Sequence, residues 1–167
     1  MAKILSVVAP EKFQQIEYLE SKRALEKRGH KVITASLKRV ATDKLGEKYK
    51  VDLLLSEVNA EDFDAILFAG GPGSHALFDD QQCHDLARKF HAAHKLTTAI
   101  CAAPLILGRA GLLEGKKVTC FPDQIQDVKN TDAVYTGAHV ERDGLIITAD
   151  GPDSAYDFGL AIADALG

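Results

Sequence analysis

At 167 residues, with 46% hydrophobic and 26% charged residues, the chain has the size and composition of one soluble globular domain. Its formal net charge of −4, with the two signs interspersed, lacks the electrostatic footprint of a nucleic-acid-binding protein. No apolar run reaches the roughly 18 residues of a membrane helix, and the short apolar start lacks a signal-peptide cleavage site. We therefore expect a single domain over residues 1–167, with no nucleic acid and no membrane as partner.

Short apolar runs alternate with longer helical patterns along the chain, which is typical of a mostly parallel sheet covered by helices on both faces. The predicted strands are residues 3–8, 31–35, 51–55, 65–69, 96–100, 117–120, 133–136, 140–142 and 145–148. The predicted helices are residues 12–28, 79–94, 103–110 and 154–166. The last three strands are predicted to be antiparallel at a sheet edge, with a tight turn at Asp143-Gly144.

Polar side chains at characteristic spacing predict where several helices begin. Asp79 with Gln82, and Ser154 with Asp157, match a capping box, and Asn59 is predicted to cap a single helical turn. One basic segment matches neither a strand nor a helix, and we interpret it as a solvated surface loop. Its basic residues are Lys38, Arg39, Lys44, Lys48 and Lys50.

The three cysteines lack the Cys-x-x-Cys spacing of a zinc site or redox motif, and their odd number argues against a disulfide framework. We expect reduced thiols, a cytoplasmic location, and no metal or other cofactor. His91 and His94 are spaced one helical turn apart, but a solvated helix face is favoured over a metal site there. Cys83 and Cys120 are predicted to be packing residues.

Cys101 has a different setting, because it stands between the buried strand 96–100 and the helix that follows. Ala99 and Ala103, two residues to either side, are small enough for the sharp turn of a nucleophile elbow. A helix N-terminus favours thiolate over thiol, and the thiolate is the reactive form. The sequence therefore predicts a reactive cysteine, with a buried structural cysteine as the alternative.

Gly70 and Gly71 end another predicted strand, at the edge where open α/β sheets place their ligand crevice. The backbone amide of Gly71, paired with that of Ala102, would form an oxyanion hole for an attacked carbonyl. The alternative is that these glycines serve only the geometry of the loop. Glu17, on the first predicted helix, is expected near the same crevice if the crossover is right-handed.

Together the Gly70-Gly71 strand end, the Ala-Ile-Cys-Ala-Ala-Pro elbow around Cys101, and Glu17 resemble the ThiJ/PfpI superfamily, and the DJ-1 branch more than the PfpI-type proteases. The resemblance spans nearly the whole chain, including the closing Asp143–Thr148 and Gly151-Pro152 segments. It implies a flavodoxin-like three-layer α/β/α sandwich and a homodimer or higher homo-oligomer. It also implies that Cys101 is a nucleophile or oxidation sensor, and that Glu17 is its protonated carboxyl partner and proton shuttle.

The chain departs from that pattern at the two positions where family members carry a histidine. PfpI-type proteases have one directly after the cysteine, where this chain has Ala102, and the DJ-1 branch has one at the position of Phe121. His75 stands where PfpI-type proteins place an acidic residue that reaches the site from a neighbouring subunit. His75 is therefore a possible accessory residue, with a mobile surface histidine as the alternative.

Three functions are compatible with these residues. The first is an enzyme of the glyoxalase III or deglycase type, in which Cys101 attacks a small aldehyde or glycated substrate and Glu17 moves the proton. The second is a redox sensor or stress chaperone that acts through a Cys101 sulfinate. A PfpI-type cysteine peptidase or amidase ranks lowest, because Ala102 removes the adjacent base.

Overall fold

The computed structural model describes all 167 residues and contains eleven strands and five α-helices. In chain order they are β1 (Lys3–Val7), α1 (Gln15–Lys27), β2 (Lys31–Ser36), β3 (Val40–Thr42), β4 (Lys48–Lys50), β5 (Leu53–Leu54), β6 (Ala65–Phe68), α2 (Gln81–Ala92), β7 (Leu96–Ile100), α3 (Pro104–Arg109), β8 (Lys117–Val118), α4 (Ile125–Lys129), β9 (Val134–Tyr135), β10 (Val140–Asp143), β11 (Ile146–Ala149) and α5 (Ala155–Leu166). None of the helices has the length and apolar character needed to cross a membrane.

Seven strands form the central sheet, in the order β10-β11-β7-β6-β1-β2-β5. All neighbours pair in parallel except β10 and β11, which form an antiparallel hairpin at the edge. Helices α1 and α5 pack together on one side, and α2 packs with α3 on the other. The α/β class, the mostly parallel sheet and the edge hairpin are confirmed.

The central strands are buried on both faces because helices cover both sides of the sheet. Every residue of β6 and β7 is buried, and the polar Thr98 among them donates its hydroxyl to the Ile66 carbonyl oxygen at 2.9 Å. The largest fully buried side chains include Phe13, Phe68, Phe90 and Phe158. This core holds the parallel strands in place, so the residues that follow them lie close together at the carboxyl ends of the strands.

The basic segment is a β-hairpin, β3 paired antiparallel with β4, and not the solvated loop that we expected. Its turn is held by Asp43, whose carboxylate accepts from the Leu45 amide at 2.8 Å, the Glu47 amide at 3.0 Å and the Tyr49 hydroxyl at 3.0 Å. Aromatic contacts attach the hairpin to α1, since the Tyr49 ring lies 5.9 Å from that of Tyr18. Tertiary packing therefore overrides the polar composition of this segment.

Strand β9 does not join the antiparallel edge. It pairs in parallel with β8 in a separate two-stranded sheet, in which Val118 lies opposite Tyr135. The short helix α4, absent from our predicted elements, lies between the two strands. Parallel pairing requires such a crossover, because a tight turn can only join antiparallel strands.

Two predicted helix caps were wrong. Asp80, not Asp79, caps α2, and its carboxylate accepts from the Cys83 amide at 2.9 Å. Asp79 instead forms an ion pair with Arg109. Ser154 makes no capping hydrogen bond, because its hydroxyl donates to Asp150 at 2.6 Å. Asn59 does cap a single 3₁₀ turn, at residues 60–62.

Candidate active site

Cys101 follows β7 directly, in a backbone conformation that few residues other than glycine adopt. Its φ of +66° lies in the left-handed region, which costs free energy for a residue with a Cβ. Two hydrogen bonds hold it there: its amide donates to the Ala149 carbonyl at 2.9 Å, and its own carbonyl accepts from the Phe121 amide at 2.8 Å. The strained turn aims the side chain away from the strand, as a nucleophile elbow requires.

Glu17 lies in the first turn of α1 and is completely buried. Its Oε1 accepts a hydrogen bond from the Gly70 amide at 2.9 Å, and its carboxyl interacts with the Cys101 thiol. The other oxygen, Oε2, has no nitrogen or oxygen partner. The structure thus brings together the two residues predicted to act as a pair, although they are distant in sequence, because β1 and β7 lie on either side of β6 in the sheet.

Burial raises the pKa of Glu17 from 4.5 to about 7, since a charged carboxylate is costly away from water. The hydrogen bonds with Cys101 and Gly70 and the positive charge of Lys44 act in the opposite direction and limit the rise. At neutral pH the protonated and the ionised carboxyl are therefore both populated. A group with this pKa can accept or donate a proton at physiological pH.

The pKa of the Cys101 thiol is raised above its usual range, first by burial and then by the neighbouring Glu17 carboxyl. The amides of Ala102 and Gly71 lower it, but by less. This direction is opposite to the one expected from a helix N-terminus. The physical reason is that α3 has only six residues and starts three residues after Cys101, so burial and the carboxyl outweigh the helix dipole.

Gly70 and Gly71 are required by close packing as well as by any binding role. A Cβ on Gly70 would lie 2.6 Å from the Ile100 carbonyl oxygen, 2.7 Å from the Cys101 Cβ and 2.7 Å from the Glu17 carboxyl. Gly71 adopts a φ of +116°, and a Cβ there would collide with the backbone of Gln14. The loop therefore needs glycine for its geometry, and that geometry also directs the Gly71 amide toward the Cys101 sulfur.

A cavity of about 290 Å³ opens beside Cys101. Of the predicted site residues, Gly71, Ala102 and His75 line it with Cys101, whereas Gly70 and Glu17 lie behind its wall. The other lining residues are Gln14, Lys44, Pro72, Phe121, Asp123, Gln124 and Pro152. Sequence reasoning had not assigned a binding role to any of these residues.

His75 is the only histidine on the cavity wall, but it is exposed and its ring packs against Phe78, with 4.7 Å between ring centroids. Phe121 also contributes to the wall, so the position where the DJ-1 branch carries a histidine does reach the site. Glu17 is consequently the group best placed to exchange a proton with Cys101.

The other two cysteines are buried and unpaired. Burial raises the pKa of the Cys83 thiol, and burial followed by the charge of Asp150 raises that of Cys120 to about 12. Neither lines a cavity. No cluster of three or more histidine, cysteine or acidic side chains is arranged to hold a metal ion.

This combination of a strained cysteine, a buried carboxyl and a glycine loop agrees with the family comparison, in which residues 2–165 match the DJ-1/PfpI family. The chain belongs to that family. An uncharacterized protein of Methanocaldococcus jannaschii is 37% identical over 99% of this chain and 82% of its own length. A deglycase of Pyrococcus horikoshii is 34% identical over 92% of this chain and 93% of its own.

Solved structures of the family have the same fold. A ThiJ/PfpI domain protein from Brachyspira murdochii superimposes with a TM-score of 0.95, at 37% sequence identity, over 98% of this chain and 95% of its own. Membership in the family and the fold class predicted from the sequence are therefore confirmed.

Proposed function

We propose that the protein is a cysteine-dependent enzyme of the glyoxalase III or deglycase type, acting on small reactive carbonyl compounds or on adducts that they form with amino groups. The observation that carries this proposal is the contact between Cys101 and a buried Glu17 whose pKa is about 7, at the wall of a cavity of about 290 Å³. The relatives named as deglycases, such as that of Pyrococcus horikoshii, support the same reaction class.

The proposed chemistry starts from the protonated thiol, because its pKa is raised. The Glu17 carboxylate accepts the thiol proton as the Cys101 sulfur bonds to the aldehyde carbon, so a free thiolate need not accumulate. The amides of Gly71 and Ala102, which already point at the sulfur, stabilise the negative oxygen that forms beside it. Glu17 thus acts as the base in this step, which is the proton-shuttle role that the family resemblance implies for it.

For methylglyoxal, Glu17 would then give the thiol proton to the negative oxygen of the adduct, which completes the hemithioacetal and restores the carboxylate. This carboxylate would next transfer a proton from the carbon bound to sulfur to the neighbouring carbon, whose carbonyl group becomes the hydroxyl group of the lactoyl thioester. The resulting lactoyl thioester reacts with water, which releases lactate and restores the Cys101 thiol. The net reaction is methylglyoxal plus water to lactate, with no external oxidant or reductant. The cavity volume suits a substrate of this size better than a peptide.

The test is lactate formation from methylglyoxal, measured by an enantiospecific lactate assay with wild type and Cys101→Ala. We expect product only with the wild type. Equal rates of lactate formation by the two proteins would contradict the proposal. Release of free amine from a methylglyoxal-treated amino acid, assayed with the same pair, separates deglycase from glyoxalase activity.

A redox sensor that forms a Cys101 sulfinate is the second candidate, since the amides of Gly71 and Ala102 and the Glu17 carboxyl could all donate hydrogen bonds to sulfinate oxygens. The raised thiol pKa disfavours it, because oxidation proceeds through the thiolate. Intact mass after mild peroxide decides: a gain of two oxygens confined to Cys101 favours the sensor. Peptidase activity ranks last, because Ala102 stands where the adjacent histidine base would be. The only histidine on the cavity wall, His75, packs against Phe78.

The same proposal places the protein in the cytoplasm as a single domain that assembles with a second copy. Three unpaired cysteines suit a reducing compartment. The exposed apolar side chains of Ile16 and Leu19 on α1 offer a surface that a second copy could cover. Light scattering should give about twice the 18.0 kDa of one chain.

A further inference from the structure

Lys44 is the one residue of the basic segment that reaches the cavity beside Cys101. Two other members of the segment are neutralised elsewhere. Lys38 pairs with Glu11 at 3.2 Å, and Arg39 makes a two-pronged contact with Glu57 at 2.6 and 2.8 Å. Lys44 takes part in no ion pair. Its ammonium group is therefore available to a ligand in the cavity.

The position of Lys44 is set by the fold. It occupies the turn of the β3–β4 hairpin, beside the buried Asp43 whose carboxylate fixes that turn. The backbone amide of Lys44 donates to the Phe13 carbonyl at 2.9 Å. Gln14, the residue after Phe13, donates its own amide to the Gly70 carbonyl at 2.9 Å. A short chain of backbone hydrogen bonds thus ties Lys44 to the glycine loop of the site.

The positive charge of Lys44 acts on the site electrostatically. It lowers the pKa of Glu17 and so opposes the increase that burial causes. Glu17 does not neutralise it, since this carboxyl is fully buried and engaged with Gly70 and Cys101. The cavity wall carries one acidic side chain, Asp123, which also makes no ion pair. A ligand therefore meets one cation and one anion beside the reactive sulfur.

We propose that Lys44 selects the substrate, favouring 2-oxoaldehydes whose side chain ends in a carboxylate over neutral ones such as methylglyoxal. The ammonium would bind the carboxylate while the aldehyde carbon lies at Cys101, and Asp123 would limit this preference. The turnover part of this inference rests on the proposed function. The charge selection does not, because it concerns any small anion that approaches the sulfur.

Charge selection is measured with two alkylating reagents that differ in charge but share a leaving group, iodoacetate and iodoacetamide. In each reaction the Cys101 sulfur bonds to the methylene carbon, iodide leaves, and the thiol proton passes to Glu17 or to solvent. The ratio of the two rate constants at Cys101, obtained by peptide mass spectrometry at pH 8, cancels any general change in thiol reactivity.

We expect Lys44→Met to lower the iodoacetate-to-iodoacetamide ratio about fivefold, the effect of one unit charge about 4 Å away in water. Lys44→Arg should keep the ratio, and Asp123→Asn should raise it. Lys48→Met is the matched control, because Lys48 lies on the same hairpin but not on the cavity. A fall of less than twofold in Lys44→Met, or an equal fall in Lys48→Met, overturns the proposal.

The turnover measurement compares kcat/KM for 4,5-dioxopentanoate, which should yield 2-hydroxyglutarate with uptake of water, and for methylglyoxal. In Lys44→Met the preference for the acidic substrate should fall about fivefold, mainly through KM. An unchanged preference contradicts the inference. If the wild type converts neither compound faster than Cys101→Ala, the proposed function fails, and the alkylation ratio still decides whether Lys44 selects anions.

Discussion

Cys83 and Cys101 are both buried near the start of a helix, yet their surroundings differ. Cys83 is the third residue of α2, and its amide donates to the Asp80 carboxylate that caps this helix. Burial raises the pKa of both thiols, and in both cases an acidic side chain adds to the rise. Burial, helix position and a nearby carboxyl therefore do not distinguish a reactive cysteine from a packing one.

Two features do separate them. Cys101 opens onto a cavity, whereas Cys83 is fully enclosed. The carboxylate beside Cys83 caps a helix, while Oε2 of Glu17 has no nitrogen or oxygen partner and can take up a proton. The comparison indicates that access and a carboxyl able to change its protonation state create the site.

The strongest test of this difference between the two cysteines is to remove each sulfur in turn. We expect Cys101→Ala to reduce lactate formation from methylglyoxal at least a thousandfold, because the nucleophile is lost. The matched Cys83→Ala protein should retain at least half of wild-type activity. Comparable losses in the two variants would mean that Cys101 has no special role.

Glu17→Gln removes the proton acceptor while preserving the shape of the side chain. We expect kcat/KM to fall about a hundredfold or more, within the range typical of general acid–base groups. In the wild type, kcat/KM should increase as pH rises through about 7, since the proposed base must be ionised. If the residual activity of Glu17→Gln still shows the inflection near pH 7, the inflection belongs to another group and the assignment of Glu17 as the base is wrong.

Stability should carry the opposite pH dependence. Between pH 4.5 and 7 folded Glu17 holds its proton while the unfolded chain has released it, so the free energy of unfolding falls as pH rises. The contribution of Glu17 amounts to about 3 kcal/mol over this interval. Denaturant titrations at several pH values should show a smaller fall for Glu17→Gln than for wild type; parallel curves would contradict the raised pKa.

Gly70→Ala tests whether the loop positions the pair. The added methyl group would press on the Ile100 carbonyl and on both Cys101 and Glu17, and we expect about 2 kcal/mol of destabilisation. Gly111→Ala is the control for adding a methyl group to a glycine in open space, although its φ of +84° carries its own strain. Unfolding curves in urea check both variants. Because Gly70 does not have a positive φ, its loss would come from the steric contacts of the methyl group, and a Gly70→Ala protein as stable as wild type would contradict this prediction.

Much of this site followed from local sequence. The buried run at residues 96–100, the small residues around Cys101 and the Gly70-Gly71 strand end predicted an elbow and a glycine loop at one edge of a parallel sheet. Those features depend on residues that are neighbours in the sequence. The pattern of apolar residues, the side-chain sizes and the turn-forming residues can all be read from the sequence alone.

Other features were decided only by tertiary structure. Three of them depend on residues that are distant in sequence: the pairing of β8 with β9, the position of Lys44 on the cavity wall, and the upward shift of the Cys101 pKa. Local reasoning predicted a thiolate from the helix N-terminus, whereas burial and Glu17 raise the thiol pKa. Desolvation and charge act through space, so the sequence alone determined which groups were present at the elbow, and the fold determined how strongly each holds its proton.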